Sequence, residues 1–132
     1  MLQTGLMLSG LDASMAAAVR DYLVPWVAYR GLSAYIPTTG GYRDWTEQDR
    51  LYRLGRSAYQ ISARVKLRGT QGSVTDAPAG YSAHNWGLAI DVEGPDQAAV
   101  VALAAQLGFG TVDWDPAHIE WPNWSRYVQL PP

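Results

Sequence analysis

The stretch "YSAHNWGLAIDV", Tyr81 to Val92, decides how this chain is read. It holds one of only two histidines, His84, seven residues before Asp91, with Gly87 between them. Six intervening residues keep His84 and Asp91 off one face of a single helical turn, and the glycine argues against a helix there. A turn at Asn85-Trp86-Gly87 instead folds the imidazole back over a strand. In that strand Leu88 and Ile90 point one way, Ala89 and Asp91 the other.

The second histidine lies in "DWDPAHIEW", where Asp115 precedes His118 by three and the segment reads as a short strand or loop returning to the sheet. If the two segments meet, two imidazoles and one carboxylate converge, the ligand set of a catalytic zinc site that keeps a fourth position for water. Taken alone, such side chains serve as readily as hydrogen-bonded structural groups, and the residues by themselves leave both readings open.

Working outward, Asp12 to Gly31 reads as a helix: a capping aspartate, Ala-rich helix formers, and apolar Met15, Val19, Tyr22 and Leu23 spaced three and four apart. It is interrupted near Pro25 and closed at Gly31. "LSAYIPTTGGYR" is an extended segment that turns at Gly40-Gly41. A second helix is expected from Thr46, with Asp49 three residues on as its capping partner. Gly69 to Gly80 is a loop dense in Gly, Ser, Pro and Asp. Pro95 and Asp96 open a further helix that Gly108 ends. The expected fold class is α+β: a small, mainly antiparallel sheet with packed helices, forming a single domain over residues 1–132.

Composition narrows the function. The 132 residues carry a formal charge of −2 and no cysteine, so thiolate metal sites are excluded and any metal is held by nitrogen and oxygen. Near-neutral charge argues against nucleic acid. The opening "MLQTGLMLSGLDASMAAAV" does not resemble a signal peptide, and no run approaches the ~20 apolar residues of a membrane span. Nine of the ten basic residues lie at or before Arg68, and the acidic remainder suits a cation site or, equally, a solvated face. Arg50, Arg53 and Arg56, three apart, read as one solvated helix face.

"SAHNWGLAID" matches the SxHxxGxAxD pattern of the zinc D-alanyl-D-alanine peptidases, the VanY-like and VanX-like group that includes the L-alanyl-D-glutamate endopeptidases of phage endolysins. Ser82, His84, Gly87, Ala89 and Asp91 meet all its fixed positions. "DPAH" resembles the second family element, an acid three places before the last histidine, and "GGYRDWTEQDRLY" resembles the family's upstream arginine segment. The likeness runs from about Gly40 to Trp121 and implies a Hedgehog/DD-peptidase-like zinc domain. It implies Zn2+ on His84, Asp91 and His118, with Asp115 as general base and Arg43 holding an oxyanion or a substrate carboxylate. Ser82 would sit beside the site as a hydrogen-bonding residue.

Many carboxypeptidases of the group have Glu and then Trp before the final histidine, whereas Asp115 is similar to the phage endopeptidase branch. Glu120 and Asp113 are rival bases; two residues from His118 on a strand, Glu120 shares its face and ranks as a partner for a ligand or as a surface residue. Trp86 and Trp121 flank ligands and are the best candidates for a substrate wall, although tryptophans are largely core residues.

The expected function is zinc-dependent hydrolysis of a peptidoglycan stem-peptide bond, L-Ala-D-Glu, by a monomer that reaches the wall through holin-type release or virion delivery. The alternatives are a D-Ala-D-Ala carboxypeptidase or dipeptidase and a non-catalytic zinc-containing wall-binding module.

Overall fold

A computed structural model describes residues 1–64 and 74–132. Part of the expected Gly69–Gly80 loop, residues 69–73, lies outside the described residues; the remainder is irregular chain.

The elements run β1 (Leu2–Gln3), α1 (Ala13–Ala18), a π-helical turn (Val19–Leu23), α2 (Val24–Tyr29), β2 (Ala34–Tyr35), α3 (Trp45–Arg53), α4 (Ala58–Ser62), β3 (Ala89–Asp91), α5 (Gln97–Gln106), β4 (Gly110–Val112) and β5 (Asp115–Glu120). This is the expected α+β class, with a three-stranded antiparallel sheet in the order β3-β5-β4.

Asp12 caps α1 by accepting from the amides of Ser14 and Met15, satisfying donors the helix cannot pair itself. Met15, Val19, Leu23 and Val27 are fully buried. Residues four apart drift by about 40° per step around an α-helix. The wider π turn at Val19–Leu23 takes up that drift and keeps all four on the core face. Pro25 follows the π turn inside this continuous helical run, so the helix expected to be interrupted near Pro25 passes through it as far as Tyr29. Tyr22, counted in the apolar stripe from sequence, is exposed.

Two expectations are corrected. The helix expected from Thr46 starts earlier: Asp44, extended and one residue before α3, accepts from Glu47 N at 2.8 Å and is the cap in place of Thr46. Chain direction then changes at Leu54-Gly55, and α4 begins afresh under a reciprocal Ser57–Gln60 capping box. Arg50 and Arg53 pair with Glu47 and Asp49 on the exposed face of α3. Arg56 lies beyond α3, its side chain buried over the Tyr52 ring, so the three arginines do not form one face. The extended 32–43 segment contributes only Ala34–Tyr35, paired in parallel with β1.

β5 is the central strand, with Ile90 directly opposite Ile119 and Asp91 directly opposite His118. Successive residues alternate faces, so the isoleucine pair enters the core and the Asp-His pair faces the other way. Asp96 accepts from Ser33 N at 2.7 Å, tying the start of α5 to the approach to β2.

Candidate metal centre

Ala83 to Trp86 form a single 3-10 turn rather than part of a strand. Ser82 caps it, its hydroxyl accepting from His84 N at 3.3 Å, while Asn85 Oδ1 accepts from Ser82 N at 3.3 Å. The turn ends at Gly87, where φ is +68° and a Cβ would lie 2.5 Å from Asp12 N. Only glycine fits there, and its carbonyl accepts from that same Asp12 amide at 3.0 Å. The start of α1 is thereby seated on the turn that carries His84.

The "GGYR" segment supports the site from the other side. Asp91 N donates to Gly40 O at 2.8 Å, and a Cβ on Gly40 would meet Asp91 O at 2.9 Å, so the two backbones touch without a side chain between them. The next carbonyl, Gly41 O, accepts from His84 Nδ1 at 2.9 Å, which places the proton on Nδ1 and turns Nε2 inward. Two residues on, Arg43 N donates to His84 O at 3.0 Å, and Arg43 O accepts from Asn85 Nδ2 at 2.9 Å.

The three donors named from sequence meet. His84 Nε2 lies 3.3 Å and His118 Nδ1 3.5 Å from Asp91 Oδ1, and the ligand atoms of all three lie within 4.8 Å of one another. Both imidazoles are buried. Asp91 Oδ1 is itself buried and receives no well-directed hydrogen bond, an arrangement costly for a carboxylate unless a cation completes it. Two neutral nitrogens and a carboxylate oxygen around one point are a donor set that zinc accepts.

Behind His118, Nε2 donates to Glu120 Oε1 at 2.7 Å. Carboxylates of this kind fix the tautomer of a ligating imidazole. Burial pushes against the charge on Asp91, but His118 and His84 beside it prevail and hold its carboxyl well below the usual range. For His118, burial likewise opposes the charge, and Asp91 and Glu120 overcome it, raising its pKa to about 9.

The three donors open onto a cavity of about 460 Å³. Arg43, Ser82, Asp115 and Glu120 line it. Asp115 Oδ1 accepts from Ala117 N at 3.1 Å, which fixes the carboxylate on the wall. Asp113, the other rival base, is exposed on the β4–β5 connection and does not line the cavity. Trp86 and Trp121 are also placed elsewhere: both pack against the core, and Trp86 meets Trp45 edge-on and donates to Gly80 O at 2.9 Å. Trp114 and Trp124 are the tryptophans on the wall. Sequence reasoning gave no role to Asn85 or Gln48, both buried and polar, which brace Arg43; a capping-box spacing from Ser82 to Asn85 was the available signal for the first, and the family-like segment "GGYRDWTEQDRLY" carries the second on the helix after Arg43.

A family model described as VanY, D-alanyl-D-alanine carboxypeptidase, matches residues 11–118. The chain belongs to the VanY family. The matched span contains Arg43, Asp115 and all three donors. VanY peptidases act on the stem peptides of peptidoglycan and in general depend on zinc, which places this chain among cell-wall peptidases. Comparison with curated proteins gives no match. Among the described residues, no helix is long and apolar enough to cross a membrane.

Proposed function

We propose that this VanY-family chain is a zinc-dependent endopeptidase that cleaves the L-Ala-D-Glu bond of the peptidoglycan stem, an endolysin-like activity. The observation that carries the reading is the convergence of His84, Asp91 and His118 on a cavity whose wall holds both an acid and a guanidinium, Asp115 and Arg43. His84, Asp91 and His118 would hold the ion, which when bound acidifies water toward a pKa of about 7 and polarises a carbonyl.

The chain's own groups supply the rest. Asp115, held by Ala117 N through Oδ1, takes a proton from water on its other oxygen and returns it to the departing amine. Arg43 places a permanent charge against the carbonyl oxygen as it becomes negative. Glu120 keeps the Nε2 proton of His118, so that Nδ1 would be the nitrogen offered to the ion. Ser82 acts one step back, holding the turn that carries His84.

Two features favour an internal bond. Asp115 stands where many carboxypeptidases of the group have glutamate. Arg43 is the one arginine or lysine among the described residues lining the cavity, and one guanidinium set against the carbonyl is what cleavage of an internal bond calls for. The family's description favours a second reading, a D-Ala-D-Ala carboxypeptidase in which Arg43 would grip the terminal carboxylate. On the first reading the enzyme works as a monomer that meets the wall after holin-type release or virion delivery.

Mass spectrometry of fragments from purified peptidoglycan and from a free stem pentapeptide separates the two. New N-terminal D-Glu from intact sacculi is expected; free D-alanine from the pentapeptide would establish the carboxypeptidase instead. Asp115→Ala is expected to abolish cleavage while zinc stays bound. Full activity in that variant would remove Asp115 from the mechanism.

A further inference from the structure

Gln48 lies on α3, fully buried, and neither end of its side chain is idle. Oε1 accepts from Arg43 Nη1 at 3.0 Å. Nε2 donates to Ala77 O at 2.6 Å and to Thr75 Oγ1 at 3.2 Å. A carbonyl can only accept, so Ala77 O fixes which end of the amide is nitrogen, and the oxygen is thereby committed to the guanidinium. Thr75 Oγ1 also accepts from Ala77 N at 3.2 Å, closing the loop on itself beneath the amide.

Thr75 and Ala77 line the cavity, as does Asp76 between them, whose Oδ1 stands 3.6 Å from buried Arg56 Nη2. Two side chains from the α3 region therefore reach the same three-residue wall. Only Gln48 also touches Arg43.

We infer that Gln48 is a positioning residue that locks the Arg43 fork to the Thr75–Ala77 wall, so that the guanidinium and the substrate-facing loop hold a single relative geometry. The inference rests on the proposed role of Arg43 in catalysis. Arg43 has several rotatable bonds, and its backbone is already held by His84 O and Asn85 Nδ2. The amide of Gln48 supplies the corresponding restraint at the far end of the side chain. Restraint of this kind matters because a misplacement of about 1 Å costs on the order of a hundredfold in rate.

The test is a double-mutant cycle on peptidoglycan hydrolysis with Gln48→Met and Arg43→Ala, run on zinc-loaded protein of measured metal content. Gln48→Met keeps the length and loses both hydrogen-bonding ends. It is expected to lower kcat/KM by about tenfold or more in the native background and to change nothing further in Arg43→Ala. Gln48→Glu retains the acceptor for Arg43 and loses the donor to the wall, so it is expected to recover most of kcat while KM stays raised.

In the metal-free protein, NMR of the arginine side chains supplies a readout independent of turnover. Slow rotation of the Arg43 guanidinium is expected in the native chain and in Gln48→Glu, and fast rotation in Gln48→Met. Equal losses from Gln48→Met in both backgrounds, or an unchanged guanidinium signal, would overturn the inference while leaving the role of Arg43 standing. Native activity in Arg43→Ala would remove that role and the inference with it. If Gln48→Met does not fold, Gln48→Glu alone carries the test, since it loses the donor to both Ala77 O and Thr75 Oγ1 while keeping the acceptor for Arg43; a raised KM with kcat largely kept is expected, and no effect on either overturns the link to the wall.

Discussion

The pKa of His118 sets how tightly a metal is held at neutral pH. In the metal-free protein the imidazole sits between Asp91 and Glu120, which raise its pKa to about 9. Binding an ion through Nδ1 requires that nitrogen to lose its proton, so below pH 9 each binding event releases a proton from His118. At pH 7, two units below, the affinity is reduced by about a hundredfold, or about 3 kcal/mol, relative to the plateau. Isothermal titration in buffers of different ionisation enthalpy reads the proton, and competition with a chelator reads the affinity. About a tenfold rise per pH unit is expected between pH 7 and 9, followed by a plateau.

Stability of the metal-free protein changes in the opposite direction. His118 gains its partners on folding, so its contribution is complete below the unfolded value near 6.5 and disappears as pH rises through about 9. Asp91, held below its ordinary range, contributes above about pH 4 and loses that contribution as the solution is acidified through its lowered pKa. Metal-free protein therefore melts at lower temperature as pH climbs from 7 to 9, whereas metal-loaded protein gains stability by mass action over the same interval. A His118 resonance titrating near 6.5 in metal-free protein, together with a metal affinity flat between pH 7 and 9, would refute this account.

Three further outcomes are expected. Glu120→Gln removes the charge behind His118 while keeping an acceptor; metal affinity at high pH should fall by about tenfold to a hundredfold, with the plateau beginning at lower pH, measured by the same competition. Gly87→Ala places a methyl 2.5 Å from Asp12 N at a φ of +68°. It should destabilise by more than the ~1–2 kcal/mol of the left-handed backbone alone, read from the urea midpoint. Ile119→Ala, which empties the fully buried partner of Ile90 under the ligand-bearing strands, should cost about 2–5 kcal/mol in the same assay.

His84, Asp91 and His118 were legible as ligands through the resemblance of "SAHNWGLAID" and "DPAH" to the family pattern; the rarity of histidine and the turn residues around both copies are local signals that marked the segments but left a structural role equally open. The cap on α1 and the end of α5 at Gly108 were legible in the residues themselves, since local chemistry carries those signals. Gln48 was not: its partners Thr75 and Ala77 lie 27 and 29 residues away, and nothing local separates a buried glutamine from a solvated one. The cap at Asp44 was hidden because Thr46 and Asp49 imitate a capping pair, and only the extended backbone at Asp44 decides between them. Trp86 and Trp121 flank the ligands in sequence, yet adjacency along a turn or strand leaves open which side a ring takes, and both took the core.

The pairing of Asp91 with His118, next to Ile90 with Ile119, carries a consequence for assembly of the sheet. Sliding β3 by one residue against β5 would turn a carboxylate into the apolar interior and an isoleucine out to the solvent-facing side. An ion captured by both strands tolerates no such slippage, so metal uptake would act as a proofreader of strand alignment, rewarding the one pairing in which the hydrophobic layer is also complete.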